Sequence, residues 1–310
     1  MNKPDSQGPA VHRCGTVAIF GRPNVGKSTL LNRFLGQKIA IVSPKPETTR
    51  DRLLGILTLP NAQLLFLDTP GIYRGPKTLL GKHQIQAARE ALTEADVLLM
   101  ITEATLGLTD GDKEILRLLP KRTLEVRGVS VFLAINKVDR AKKPQILPQI
   151  DEAKRLYPFR EIFPISAVEG DNAQQLLEAL VAALPEGPPL YPADQITDRP
   201  VRTLAQELIR EKALLFTHEE VPHAVAVLVE EWREGTRGAK IYIRATVYVE
   251  RDSQKIILIG KEGSLLKRIG QAARKEIEIL VDKPVFLDLW VKVAKNWRKD
   301  PQRLRELGYA

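Results

Sequence analysis

The stretch Thr16-Val-Ala-Ile-Phe20-Gly21-Arg-Pro-Asn-Val-Gly26-Lys27-Ser28-Thr29 decides the fold of the first half of the chain. A short apolar run reads as a buried strand, and apolar residues recur at helical spacing over 27–35. Between them the residues fit G-x-x-x-x-G-K-[ST], a phosphate-binding loop whose context of strand, glycine turn and helix is the one its mechanics require. Gly21 and Gly26 let backbone amides of the loop, including those of Asn24 and Val25, turn inward around phosphates. The helix that opens at Lys27, Ser28 and Thr29 adds its positive end. Lys27 reaches the β and γ phosphates, and Ser28 offers a hydroxyl to Mg²⁺. The motif requires a nucleoside triphosphate and leaves the base open.

Working outward, strands are expected at 16–20, 63–67, 97–102, 129–135 and 161–165, with helices at 27–35, 84–92, 113–119 and 174–184. That alternation predicts an α/β fold with a mostly parallel sheet and helices on both faces. The segment 184–200 holds five prolines, so it can be neither a regular helix nor a central strand. It reads as a proline-rich linker between two domains, at 14–183 and 201–300, with a loose tail at 1–13 and another at 301–310. The second domain reads as a helix (201–216), two alternating strands (224–232 and 240–250), an apolar run at 256–259, a glycine turn, a helix (265–280) and a strand (285–293), an α+β order. Periodicity leaves 256–259 open between strand and helical turn.

Two further tetrapeptides each follow an apolar strand. Asp68-Thr-Pro-Gly71 places a carboxylate where it holds Mg²⁺ through water and a glycine amide where it senses the γ phosphate. Asn136-Lys137-Val138-Asp139 supplies a carboxylate able to accept two hydrogen bonds from the guanine edge, and adenine presents no matching pair of donors. With these boxes in order, the first domain resembles the translation-factor-like class of P-loop GTPases. The resemblance implies that Asn136 and Asp139 recognise the base, that Lys137 packs on it, and that Ser166-Ala167 presents a backbone amide to it. It makes Glu47-Thr-Thr-Arg50-Asp51 the first switch, with Thr49 the Mg²⁺ ligand in the GTP state. Catalysis then falls to Lys27, Thr49 and Asn24. The position after Asp-x-x-Gly, where many small GTPases carry a water-orienting Gln, is Ile72, whose side chain forms no hydrogen bond. Asn24 matches the asparagine that holds potassium against the phosphates in related enzymes with an apolar residue there, and slow intrinsic turnover is expected.

The glycine turn of the second domain is Gly260-Lys261-Glu262-Gly263, a G-x-x-G loop in which two glycines admit a nucleic-acid backbone. Lys267, Arg268, Arg274 and Lys275 lie on the following helix; Lys267, Arg274 and Lys275 fall near one face, away from apolar Leu266, Ile269, Ala273 and Ile277. Residues 201–300 resemble a KH domain of the bacterial arrangement. That resemblance makes 256–259 a helical turn, and assigns single-stranded RNA to a groove whose floor draws on Ile257, Ile259 and Ile269, positions equally suited to plain core. Together with Glu219-Glu-Val-Pro-His223, Leu289-Trp-Val-Lys-Val293 and Trp297, the two domains resemble the Era family of bacterial GTPases essentially end to end. The resemblance implies binding to the 3′ end of small-subunit rRNA, work on maturing the small ribosomal subunit, and occasional contact with the inner membrane.

Charge agrees with a polyanionic partner. The net charge is +9, yet from Arg237 onward there are 17 Lys and Arg against 9 Asp and Glu, leaving 30 against 29 before it. Cys14 is the one cysteine, so neither an internal disulfide nor a thiolate metal cluster is available. No secretory pattern opens the chain, and a cytosolic monomer is expected. Rival readings are a constitutive RNA-binding protein with a merely structural nucleotide site, and a membrane-surface GTPase that uses its basic end for anionic lipid. A metabolic kinase fits least, since no acceptor pocket is suggested.

Overall fold

The computed structural model describes residues 12–45, 48–72, 78–119, 125–235 and 240–309, which form two compact units. The first comprises Met1–Lys38, Arg52–Thr69 and Ala88–Asp198. Its sheet is built from β1 (Arg13–Phe20), β2 (Leu53–Leu59), β3 (Ala62–Asp68), β4 (Val97–Glu103), β5 (Ser130–Asn136) and β6 (Ile162–Pro164), in the order β2-β3-β1-β4-β5-β6. Only the β2–β3 pair is antiparallel. The helices are α1 (Lys27–Leu35), α2 (Leu79–Glu94), which starts in the second unit, α3 (Asp110–Leu118), α4 (Ile146–Leu156) and α5 (Ala173–Ala183).

The parallel strands β1, β4 and β5 are almost wholly buried, as near-continuous apolar runs require. Strand order reverses at β1, which pairs with β3 on one side and β4 on the other. In open α/β sheets a ligand crevice lies at such a reversal, beyond the carboxyl ends of the strands. Two elements escape the sequence reading. β2 is leucine-rich with Gly55 inside it, and Ile56 and Thr58 are its only β-branched residues, a weak strand signature; a Cβ on Gly55 would stand 2.7 Å from Leu31 Cδ1 of α1. α4 buries only Ala153, so its apolar stripe is thin.

The proline-rich segment is no loose linker. It belongs to the first unit up to Asp198, because its remaining amides and carbonyls have fixed partners. The buried Gln63 side chain accepts from Leu190 N–H (2.7 Å) and Tyr191 N–H (2.9 Å) and donates to Tyr191 O (2.8 Å). Ile56 N–H donates to Ile196 O at 2.8 Å. Prolines remove donors, and the polar groups that remain are satisfied against the sheet. The reading of 1–13 as tail ends too late as well, since Arg13 is already in β1.

The second unit comprises Ile39–Asp51, Pro70–Ala87 and Arg199–Ala310, so two segments expected in the GTPase domain are packed with the C-terminal half. Its elements are α6 (Val201–Phe216), α7 (Val221–Ala224), β7 (Ala226–Arg233), β8 (Ile241–Val249), α8 (Asp252–Ile259), α9 (Ser264–Val281), β9 (Val285–Val293) and α10 (Pro301–Glu306). β7 pairs antiparallel with β8, and β8 pairs parallel with β9 across the α8–α9 connection. Period-two burial of Ile241, Ile243, Ala245, Val247 and Val249 turns one face of β8 onto the helices. The apolar run at 256–259 is helical, ending α8 as the KH resemblance implies.

The other sheet face carries a second cluster of Ala226, Trp297, Leu304, Leu307 and Tyr309, which corrects the reading of 301–310 as a tail. Asp300 caps α10 by accepting from Gln302 and Arg303 amides, and Trp297 is fully buried with Nε1 donating to Ala224 O at 2.9 Å. Trp297→Ala is expected to destabilise the second unit by about 3–5 kcal/mol, the usual range for emptying a buried aromatic site. A chain ending at Asp300 should likewise unfold at lower urea; an unchanged midpoint would restore the tail reading.

Candidate nucleotide and nucleic-acid sites

The phosphate loop leaves β1 and returns into α1. Gly21 (φ +146°) and Gly26 (φ +104°) lie in the region that glycine alone enters freely, and a Cβ on either would stand 2.3 Å from Ile101 O or 2.2 Å from Asn136 Nδ2. Asn24 is exposed in a left-handed conformation (φ +65°), and Val25 is buried. Lys27 is buried and its Nζ donates to the carbonyls of Gly21 (3.2 Å) and Arg22 (2.9 Å), while Thr29 follows it in the first turn of α1. Ser28 Oγ donates to Asp68 Oδ2 at 2.6 Å, and Asp68 Oδ1 is buried with no partner.

These charges are under tension. Burial pushes the Lys27 ammonium down to about 8, against the opposing pull of the Asp68 charge. Burial pushes Asp68 up to about 6, opposed by Lys27 and by the Ser28 hydroxyl. The Ser28 hydroxyl and the Asp68 carboxylate, one oxygen of which has no partner, form a hard-oxygen donor set that suits Mg²⁺. Thr49, Gly71 and Ile72 belong to the second unit, where Ile72 is buried; Glu47 falls outside the described residues.

The residues expected to bind the base converge from the carboxyl ends of β5 and β6. Asn136 joins two loops: Nδ2 donates to Val25 O (2.8 Å) and Oδ1 accepts from Ala167 N–H (2.9 Å). Ser166 Oγ donates to Asp139 Oδ1 (2.6 Å), which aims the carboxylate. Lys137, left-handed at φ +66°, pairs with Glu103 Oε2 at 2.6 Å from the end of β4. Glu103 was not legible as a site residue, since only sheet register brings it beside Asn136. The same holds for Asp112, fully buried in the first turn of α3, which holds Arg22 of the phosphate loop at 2.9 Å.

In the second unit, Gly260 (φ +72°), Glu262 (φ +53°) and Gly263 (φ +77°) turn the chain sharply before α9. A Cβ on Gly263 would meet nothing within 4 Å, so a ligand backbone has room to approach, and Lys261 and Glu262 are exposed. On α9 the residues Ile269, Ala273 and Ile277 are fully buried, and Lys267, Arg274 and Lys275 are exposed on the helix's polar side. Arg268 differs from them, because its guanidinium lies over the Phe216 ring at 4.2 Å and covers the end of α6. Of the three isoleucines considered for a groove floor, Ile269 is core, Ile259 packs against the core, and Ile257 is exposed.

A family model described as 50S ribosome-binding GTPase matches residues 16–137, and a KH domain model matches 220–298. GTPase Era of Geobacter metallireducens is 49% identical over 297 residues, which cover 96% of this chain and 98% of that protein. The chain belongs to the Era family of GTPases. A solved structure of Era in complex with MgGDPNP and nucleotides 1506–1542 of 16S ribosomal RNA is 45% identical, covers 96% of this chain and 99% of that one, and gives a TM-score of 0.92. An Aquifex aeolicus Era variant bound to GDP·AlF4⁻ is 44% identical with a TM-score of 0.91, over 96% and 99% of the two chains. As in the family, a P-loop GTPase domain with a mostly parallel sheet precedes a KH domain.

Asn136 is the hinge of the base site in this Era-family chain, with one amide group tying the phosphate loop to the base loop. Asn136→Ala leaves Val25 O and the Ala167 amide unpaired, each at roughly 1–3 kcal/mol. Affinity for fluorescent GDP is therefore expected to fall about a hundredfold or more. A loss under threefold would show that the loops hold their places without it.

Proposed function

We propose that this chain is a GTP-hydrolysing switch that binds the 3′ end of small-subunit (16S) rRNA through its KH domain and assists maturation and assembly of the small ribosomal subunit. The observation that carries this reading is the Gly260–Gly263 turn, open at Gly263, ahead of a basic helix, in a chain so similar to an Era solved with that RNA. Gly260, Lys261, Glu262 and Gly263 approach the RNA backbone, and Lys267, Arg274 and Lys275 supply the long-range attraction, with Arg268 at the margin. In the nucleotide site Gly21, Asn24, Val25, Gly26, Lys27, Ser28 and Thr29 cradle GTP or GDP. Asn136, Lys137, Asp139, Ser166 and Ala167 select guanine, with Ser28, Asp68 and, in the GTP state, Thr49 as Mg²⁺ ligands and Gly71 as the γ-phosphate sensor.

In hydrolysis water adds to the γ phosphorus as the bond to the β,γ-bridging oxygen breaks, giving GDP and inorganic phosphate. Ile72 is buried and apolar, so it cannot orient that water. Lys27 and the loop amides neutralise the charge that develops on the phosphates. Mg²⁺ held by Ser28 and Asp68 would add charge stabilisation of the same kind, and K⁺ held by Asn24 would add to it. Hydrolysis is therefore expected to run faster in potassium than in sodium at equal ionic strength, with the difference lost in Asn24→Ala. Equal rates in the two salts would remove potassium from the reading.

No helix among the described residues is long and apolar enough to cross a membrane. A cytoplasmic monomer fits this reading, and contact with the inner membrane would be peripheral. The deciding experiment measures affinity for short single-stranded RNAs, including the 16S 3′ end, in GTP-analogue, GDP and nucleotide-free states, beside a Gly260→Asp/Gly263→Asp variant. Selective binding that depends on nucleotide and falls at least tenfold in the variant is expected, since two carboxylates would stand against phosphate. Binding indifferent to nucleotide would separate the two activities, and vesicle binding that RNA does not displace would favour the membrane.

A further inference from the structure

α1 touches the nucleotide site at both ends. Its first residue is the phosphate-binding Lys27, and in its last turn stands Arg33, a residue with no part in the phosphate motif. The Arg33 guanidinium reaches the loop after β6, where Nε donates to Ala167 O at 2.6 Å and Nη2 donates to Val168 O. Among the described residues no carboxylate pairs with it, so the fork is spent on two successive carbonyls. Gly170 makes room for the group: its φ is +99°, and a Cβ there would stand 2.6 Å from Nη1.

The same loop carries the amide expected to face guanine. Ser166 N–H is taken by Asp171 O (3.1 Å) within the turn, and Ala167 N–H donates to Asn136 Oδ1 at 2.9 Å, a partner that the base oxygen would replace on binding. Arg33 fixes the peptide plane after the Ala167 Cα, and so keeps the loop in place while the Ala167 amide turns from Asn136 to the base. A nine-residue helix spans about 13 Å. One rigid rod therefore sets the separation between the phosphate loop and the base loop, so that the contact to the base is made without ordering a free loop.

We propose that Arg33 is a positioning residue for guanine, holding the carbonyls of Ala167 and Val168 so that the Ala167 amide meets the 6-oxo group of the base. The inference rests on the reading that Ala167 is the amide facing that oxygen.

The test is a comparison of GDP with 6-thio-GDP on the full chain. The thio analogue keeps the N1–H and 2-amino donors for Asp139 and replaces the 6-oxygen with a bulkier, weaker acceptor. The unaltered chain is expected to prefer GDP by about tenfold, the scale of one hydrogen bond. Arg33→Met keeps the apolar stem and the helix but loses the fork; it should bring that preference below threefold by weakening GDP alone, and Arg33→Lys should recover part of it. Equal weakening of both ligands, or an unchanged preference, would overturn the role of Arg33 and leave it a structural side chain. No preference in the unaltered chain would instead overturn the Ala167 reading, and the proposal with it.

Discussion

Two opposite charges, one buried at the first residue of α1 and the other at the carboxyl end of β3, constrain everything else in the first unit. Lys27 and Asp68 are both cut off from water, and their mutual attraction only partly offsets the cost of burial. An ammonium lowered to about 8 and a carboxyl raised to about 6 describe a site strained near neutral pH. A ligand that relieves strain in the folded state also stabilises it, so nucleotide affinity and stability are linked in this chain. The strain is sustainable because β1, β3, β4 and β5 are packed apolar strands that hold the loop ends in place.

Around that pair the site is held by side chains reaching from one element to the next. Asp112 of α3 holds Arg22, Glu103 of β4 holds Lys137, Asn136 joins the phosphate and base loops, and Arg33 of α1 holds the base loop. Each replaces a contact that a flexible loop would have to order on binding, which is the physical content of a preorganised site.

In the second unit the organising group is another buried cation. Arg50 lies over the rings of Trp297 (5.3 Å) and Tyr309 (5.2 Å), donates to Val225 O at 2.7 Å, and is buried. Arg210, fully buried, donates to Thr48 O, and Val42 N–H donates to Glu211 at 2.7 Å. The residues expected to form the first switch are thus fastened to α6 and to the C-terminal segment that contains α10, and Ile41 lies in the main core of the unit. A buried guanidinium needs acceptors and ring faces on several sides. Those partners come from three separated parts of the chain.

The sequence by itself determined the P-loop GTPase fold, the loop between β1 and α1 and the KH-like order of elements. Each of those is a local pattern: a glycine spacing, an apolar period or a few consecutive residues at a strand end. Lys27–Leu35, Val201–Phe216 and Val285–Val293 form where periodicity places them because their neighbours in sequence set their conformation. Only the tertiary structure decided that 184–198 is stapled to the sheet by Gln63, that α10 closes a core around Trp297, and that 39–51 packs with the C-terminal half. It also decided the roles of Arg33, Glu103 and Asp112. These depend on partners such as Gln63 and Tyr191, 128 residues apart, or Arg50 and Tyr309, 259 apart. A hydrogen bond over that separation leaves no periodic or motif signature, because either residue alone is an ordinary polar side chain until the fold gives it a buried counterpart.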